Sequence, residues 1–232
     1  MSYNKILDND IKQIKRELNH LIEKTKSQFA LTYEALSLND MVLFQKVIDG
    51  DSAINEVQDK YVKQALWKIA KQHMVASDLR LAVGGIIIAR DIERIADIAK
   101  HICEYAIKHK PAPVDISYIS KLFDIINSML NITSQIIENY NEDLKEQLLK
   151  MELEVTKTFS TLHKELAEKT NNLKNSQEIR GNFRIIRQLK DIERIAEYLI
   201  GVQETVYFIK NGKFVDTERP IIQEEIIKTE KK

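Results

Sequence analysis

The 232-residue sequence has little that would interrupt or cross-link a chain, since it contains one cysteine, three prolines and six glycines. The single cysteine, Cys103, cannot form an internal disulfide, which indicates a reducing compartment and an ordinary thiol in the core. The scarcity of proline and glycine, together with 30% charged residues, is typical of long amphipathic helices. We therefore expect an all-α protein.

The sequence also lacks an excess of charge, a long apolar run and the common enzyme motifs. Its 35 basic and 35 acidic residues cancel, which argues against nucleic acid or anionic lipid as a direct partner. The longest apolar stretch, Ala82 to Ala89, is too short to cross a bilayer, and the N-terminus has no signal-peptide run, so we expect a soluble, cytoplasmic protein. There is no Gly-x-x-x-x-Gly-Lys, Gly-x-Ser-x-Gly or His-Glu-x-x-His motif, which indicates a protein that is not an enzyme.

What the sequence does contain is an internal repeat. The residues from Asp91 to Ala96 recur unchanged one hundred positions later, from Asp191 to Ala196. The match extends backwards, because Asp78-Leu79-Arg80 is mirrored by Glu178-Ile179-Arg180. Such a repeat predicts two halves with the same fold.

Apolar periodicity predicts three helices in each half, arranged as two similar antiparallel three-helix bundles. Pro111 and Pro113 mark the boundary, so we assign residues 1–110 to the first bundle, 111–214 to the second and 215–232 to a polar C-terminal tail. The expected helices are 5–36, 39–73, 77–110, 116–139, 142–170 and 177–210. The expected capping residues are Asn39-Asp40, Ser77, Asp115, Asn141 and Ser176, with Gly212 as the final stop signal.

Each copy of the repeat places acidic side chains one turn apart along a helix. Glu93 and Asp97 flank the apolar stripe of the first copy, and Glu193 and Glu197 flank that of the second, so the acids are expected beside the core and not in it. Local ion pairs on a solvated helix explain this pattern without a ligand. Acids at this spacing also repel each other, and a bound cation would turn them into a pair of ligands.

Two histidines require separate interpretation. Glu17 and His20 have the Glu-x-x-His spacing of di-iron bundles, but such a site needs a second copy on another helix, so a solvated helix residue is the better interpretation. His101 follows Asp97 by four residues, and it either adds a nitrogen ligand or makes a local hydrogen bond, which is the commoner case.

The stretch Ala89-Arg90-Asp91-Ile92-Glu93-Arg94-Ile95-Ala96-Asp97 and its second copy resemble the PhoU family of phosphate-transport regulators. That family has two three-helix bundles, each marked by a Glu/Asp-x-x-x-Asp motif. The resemblance covers roughly residues 3 to 214. It implies a negative regulator of phosphate uptake and phosphate-starvation signalling, connecting the ATPase subunit of a phosphate ABC transporter to a sensor histidine kinase. It also implies a homodimer that reaches the membrane only through its partners.

The resemblance further implies that Glu93, Asp97, Glu193 and Glu197 bind metal. Asp51 resembles a family acid that faces the motif helix, and it completes only the first site, because its hundred-residue counterpart falls on 151–155 without that acid. Oxygen ligands favour Mg²⁺, Mn²⁺ or iron over structural zinc. The sequence leaves two other functions open: a metal-dependent helical-bundle enzyme or metal-storage protein, and a scaffold whose acids bind nothing.

Overall fold

The structure, a computed structural model, describes residues 2–71 and 74–214, and for residues 2–8, 10 and 11 only the backbone is described. These residues form six helices and no strand, which confirms the all-α prediction. The helices are α1 (Ser2–Leu38), α2 (Met41–Lys71), α3 (Ala76–His109), α4 (Pro113–Glu138), α5 (Glu142–Asn171) and α6 (Ser176–Asn211). Among the residues described, none of the helices is long and apolar enough to cross a membrane.

Several helix ends follow the predicted capping chemistry. The Asp40 carboxylate accepts a hydrogen bond from the Val42 backbone N–H at 2.8 Å, and the Asn141 side chain accepts one from the Asp143 N–H at 2.6 Å. Each bond satisfies a donor that has no partner within its helix. Gly212 ends α6 with a φ of 71°, a left-handed conformation that favours glycine.

Two predicted caps in the middle of the chain are wrong because the helices begin earlier. The extended residue before α3 is Val75, so Ser77 lies inside the helix. Pro113 begins α4, since the fixed φ of proline suits the first helical position. Asp115 therefore lies in the first turn, where its carboxylate accepts a hydrogen bond from the Ala112 N–H at 3.3 Å.

The predicted cap of α6 is wrong by one residue. Asn175 precedes the helix, and its side chain accepts a hydrogen bond from the Gln177 N–H at 2.9 Å. Ser176 is therefore the first residue of the helix. An asparagine is as good a cap as a serine, so the sequence alone does not separate these neighbours.

The helices pack as two bundles, confirming the predicted duplication. Helices α1, α2 and α3 contact one another, α6 packs on α4 and α5, and α4 packs on α5. Isoleucine, leucine and alanine side chains of α3 and α6 fill the centre of each bundle, as expected for apolar stripes that need two neighbours to cover them. The predicted tail, residues 215–232, lies outside the described residues.

Two contacts between corresponding helices join the halves. The α3 helix packs antiparallel to α6, since Arg80 at the start of α3 donates to the Ile209 carbonyl near the end of α6 at 3.3 Å. A Cβ on Gly84 would lie 2.6 Å from Ile209 Cγ1, so a larger residue here would require the Ile209 side chain to shift. The α1 helix packs on α4, where the rings of Phe29 and Phe123 stack with centroids 4.1 Å apart.

Candidate functional site

The acidic side of α3 faces α2 in the first half. Asp51 of α2 lies beside Asp97 of α3, because both accept hydrogen bonds from Lys100. The Lys100 Nζ is 3.1 Å from Asp51 Oδ2 and 3.4 Å from Asp97 Oδ1. The fold thus brings the α2 acid and the motif helix together across 49 positions of sequence.

Asp51 is the most buried member of this cluster, with 3% of its surface exposed. Its Oδ2 accepts hydrogen bonds from Lys100 and from Asn55 Nδ2, the latter at 3.2 Å. Its Oδ1 has no hydrogen-bond partner among the described residues. An unsatisfied buried acceptor costs about 1–3 kcal/mol, so this oxygen would gain most from an added cation or donor.

Glu93 completes the first cluster one turn before Asp97. Partial burial raises the pKa of the Glu93 carboxyl, and the negative charges of Asp97 and Asp51 raise it further. The hydrogen bond to Asp51 raises the pKa of Lys100, which favours the charged ammonium. Three carboxyl groups therefore share one ammonium, and the cluster keeps an excess of negative charge.

His101 makes the local contact that the sequence offered as the commoner alternative. Its Nδ1 lies 3.5 Å from Asp97 Oδ2, and its side chain is 54% exposed. The imidazole therefore contacts the solvent side of the Asp97 carboxylate.

The chemistry of the first cluster suits a hard cation, but the present arrangement does not form a coordination site. Within the described ranges, no three His, Cys, Asp or Glu side chains are placed to hold a metal ion. The Lys100 ammonium already lies against both Asp51 and Asp97, where it supplies the positive charge that a cation would bring. Metal binding at Asp51, Glu93 and Asp97 stays a prediction, and it requires Lys100 to move.

The second half differs from the sequence prediction, because Glu193 is 8% exposed and lies in the core. Lys190 compensates this burial, with its Nζ 2.5 Å from Glu193 Oε2. The same ammonium lies 5.5 Å from the ring centre of Phe159 on α5. Packing of α6 on its neighbours thus buries an acid that helical periodicity placed at the edge of the apolar stripe. Glu197 is half-buried and makes no hydrogen bond or ion pair with the rest of the described chain.

The structure changes which residue of the second half corresponds to Asp51. The caps Asp40 and Asn141 are 101 positions apart, because the connection before α5 is one residue longer than the connection before α2. Glu152 therefore corresponds to Asp51, eleven residues after its cap. Counting one hundred residues from Asp51 reached Met151 and missed the acid.

The two clusters differ in the position of their positively charged side chains. The position of Lys100 on α3 corresponds to Ile200 on α6, which is buried and apolar. Lys190 corresponds to Arg90, which is exposed. The first half therefore joins two helices through Lys100, whereas Lys190 pairs with Glu193 on its own helix.

A polar contact between the halves was not anticipated from the sequence. The Arg94 guanidinium lies 5.5 Å from the ring centre of Tyr198, whose hydroxyl oxygen is 3.2 Å from Arg194 Nη2. Burial raises the pKa of Asp91, which faces Gly201 across the same interface. The repetition of Arg94 as Arg194 was the available signal, but periodicity does not show that both meet one tyrosine.

Comparison with known proteins agrees with the duplicated architecture. The chain matches the family model described as PhoU domain twice, over residues 18–106 and 119–206. A Rhizobium meliloti protein named phosphate-specific transport system accessory protein PhoU homolog is 25% identical over 216 residues, covering 92% of this chain and 90% of that protein. The matched segments end within the helices that carry the two acidic motifs.

Two solved structures share the fold. The crystal structure of PhoU from Pseudomonas aeruginosa has a TM-score of 0.81 at 21% identity, covering 89% of this chain and 99% of that one. The phosphate transport system regulatory protein PhoU from Streptococcus pneumoniae has a TM-score of 0.79 at 17% identity, covering 90% and 99% respectively. Because the family model covers both halves of the sequence, the chain belongs to the PhoU family.

Proposed function

We propose that this protein is a negative regulator of phosphate uptake and phosphate-starvation signalling. The observation that carries the proposal is the presence of two PhoU domains that together span both bundles. The name of the Rhizobium meliloti relative, a phosphate-specific transport system accessory protein, supports the same role. The match covers nine-tenths of that relative, so it extends over nearly all of both proteins.

The proposed mode of action is that of an adaptor without catalytic activity. In this role the protein binds the ATPase subunit of a phosphate ABC transporter and a sensor histidine kinase, and it forms a homodimer. It reaches the membrane through the transporter. The described part of the chain forms six long helices, which offer extended surfaces to protein partners.

Deletion of the gene tests this function directly. Phosphate-starvation genes are expected to remain expressed in phosphate-rich medium, because the regulator that restrains them is absent. A transcriptional reporter measures this, and a plasmid copy of the intact gene should restore repression. Normal repression in a deletion strain without a second copy would contradict the proposal.

We further propose that the first acidic cluster exchanges Lys100 for a divalent cation. Asp51, Glu93 and Asp97 supply carboxylate oxygens, which suit Mg²⁺, Mn²⁺ or iron better than zinc. The unpartnered Oδ1 of Asp51 supports this proposal, since it is a buried acceptor available to a ligand. A divalent cation carries one more positive charge than the ammonium it replaces, so it would neutralise more of the negative charge of the three carboxylates.

The double substitution Glu93→Ala and Asp97→Ala should lower Mn²⁺ binding at least about tenfold, since two of three proposed carboxylates are lost. Equilibrium dialysis measures the binding, and circular dichroism checks that helical content is retained. A matched control removes Glu154 and Glu165, two exposed acids of α5. If the two double variants bind Mn²⁺ equally well, the cluster is not the metal site.

A further inference from the structure

An apolar strip on α3 remains open after the six helices have packed. Leu79, Val83 and Ile87 follow one another at intervals of four residues and are 40%, 42% and 40% exposed. The other sides of α3 pack on α1, α2 and α6. Arg90 and Arg94 lie on the same side of α3 as this strip, closer to the C-terminus of the helix. A contiguous exposed row of this kind marks a contact surface more often than scattered apolar residues do.

The chain leaves α6 on the side of the molecule that carries this strip. Gly84 of α3 faces Ile209 of α6. Val83 and Phe208 each precede one of these two residues. Consider two right-handed helices that pack antiparallel through one residue from each. The residues that precede these two in sequence then point to the same side of the interface. Phe208 therefore lies on the side of Val83.

The turn after α6 gives the direction in which the chain continues. Gly212 turns the backbone so that Phe214 stacks on Phe208, with ring centroids 3.9 Å apart. The chain thus runs back along α6 after the turn. Because α3 and α6 are antiparallel, this direction follows α3 from Leu79 toward Arg94. Phe214 itself is 73% exposed, which leaves the route along the strip open.

The sequence of residues 215–232 suits the strip in length and in the spacing of its apolar residues. Ile222 and Ile226 would share one side of a helix, and Pro220 suits its first turn. A helix of residues 220–232 spans about 20 Å, close to the distance of about 22 Å between Leu79 and Arg94 along α3.

We propose that residues 221–227 dock on α3 against Leu79, Val83 and Ile87 of the same chain. The tail begins beside the strip, so docking needs no diffusional encounter and is favoured by a high effective concentration. A second copy of the chain or a separate partner would have to displace the tail before using this surface.

Maleimide labelling of Val83→Cys tests the contact. The native thiol gives little background, because Cys103 is buried and burial raises its pKa to about 12. Val83→Cys in the full chain should react at least about tenfold more slowly than the same variant carrying Ile222→Asp and Ile226→Asp. This ratio corresponds to a contact that is formed in about ten of every eleven molecules. Val42→Cys, at a residue that is 76% exposed on α2, is the matched control and should react equally in both backgrounds.

Two labelling results would contradict the proposal. Fast labelling of Val83→Cys in both backgrounds overturns the proposal, because the strip is then open in the full chain. Slow labelling in both backgrounds also overturns it, because something other than Ile222 and Ile226 then covers the strip. If that protection from labelling grows with protein concentration, the strip is covered by a second copy instead. In support of docking, Val83→Cys with Ile222→Cys should form an intramolecular disulfide, whereas Val42→Cys with Ile222→Cys should not.

Discussion

Replacing Lys100 by Met should lower the free energy of unfolding by about 3 kcal/mol without added metal, the low end for breaking a buried ion pair. The low end applies because the Lys100 side chain is 25% exposed, while that of Asp51 is 4% exposed. The methionine keeps the length of the lysine stem but leaves Asp51 charged and unpaired beside Glu93 and Asp97. Urea denaturation of both proteins in the presence of a chelator measures the difference.

A double-mutant cycle identifies the cause of the loss. Adding Asp51→Asn to Lys100→Met should recover most of the stability, because the buried charge that needs the ammonium is then gone. Lys145→Met is the matched control, since it breaks an ion pair with the exposed Glu142 and should cost under about 1 kcal/mol. Full stability of Lys100→Met, or no recovery on neutralising Asp51, would show that the pair does not hold α2 on α3.

The same variant connects stability to metal. If a divalent cation takes the position of the ammonium, Mn²⁺ should stabilise Lys100→Met more than the unsubstituted protein. Stabilisation by a ligand grows with the ratio of free ligand to Kd, and the variant no longer has an internal competitor. Equal stabilisation of both proteins would separate Lys100 from the metal site, while leaving metal binding itself intact.

Replacing Phe123 by Ala should lower the free energy of unfolding by about 3–5 kcal/mol, the usual range for a fully buried aromatic ring. Phe123 is 0% exposed, stacks on Phe29 and lies 6.2 Å from the ring centre of Tyr33. Both partners belong to α1, so the substitution leaves a cavity between the halves. The loss should therefore affect the docking of the two bundles as well as the core of the second.

Two controls separate ring burial from a general effect of losing an aromatic residue. Phe183 is 60% exposed on α6, so its replacement by Ala should change stability by less than about 0.5 kcal/mol. Phe29→Ala should cost nearly as much as Phe123→Ala, and the two losses should not add, because the second substitution removes a stack already broken. Strictly additive losses would contradict a direct energetic contact between the rings.

The sequence predicted the architecture because helical periodicity and the repeat are local signals. The apolar stripe around Ile92 and Ile95 defines one side of α3, and its recurrence at Ile192 and Ile195 defines the same side of α6. The number of helices and the bundle fold follow from such stripes. Capping residues located helix ends to within a few positions, but Ser77 and Asp115 show that a good capping residue does not prevent a helix from starting earlier.

Contacts between residues of different helices were harder to predict from the sequence, since they depend on three-dimensional packing. The sequence suggested Asp51 as a neighbour of the acidic motif only through the family resemblance, and it did not show that Lys100 joins the two helices. The burial of Glu193 depends on how α6 packs on other helices, and its partner Lys190 contacts Phe159, more than thirty positions away on α5. The correspondence of Glu152 with Asp51 was hidden by one added residue in a connection, because a fixed offset fails after any insertion.

The contacts that join the halves have a consequence for assembly. In both of them a helix meets its own counterpart in the antiparallel sense, α3 with α6 and α1 with α4, where Glu23 contacts Ser134 and Phe29 contacts Phe123. This is the pattern of a two-fold symmetric dimer. A chain with only one of these bundles would expose the matching surfaces and would need a second molecule to cover them. Such pairing weakens on dilution, whereas the linked halves meet at a constant effective concentration. The duplicated chain therefore keeps this interface formed even where only a few molecules of the protein are present in a cell.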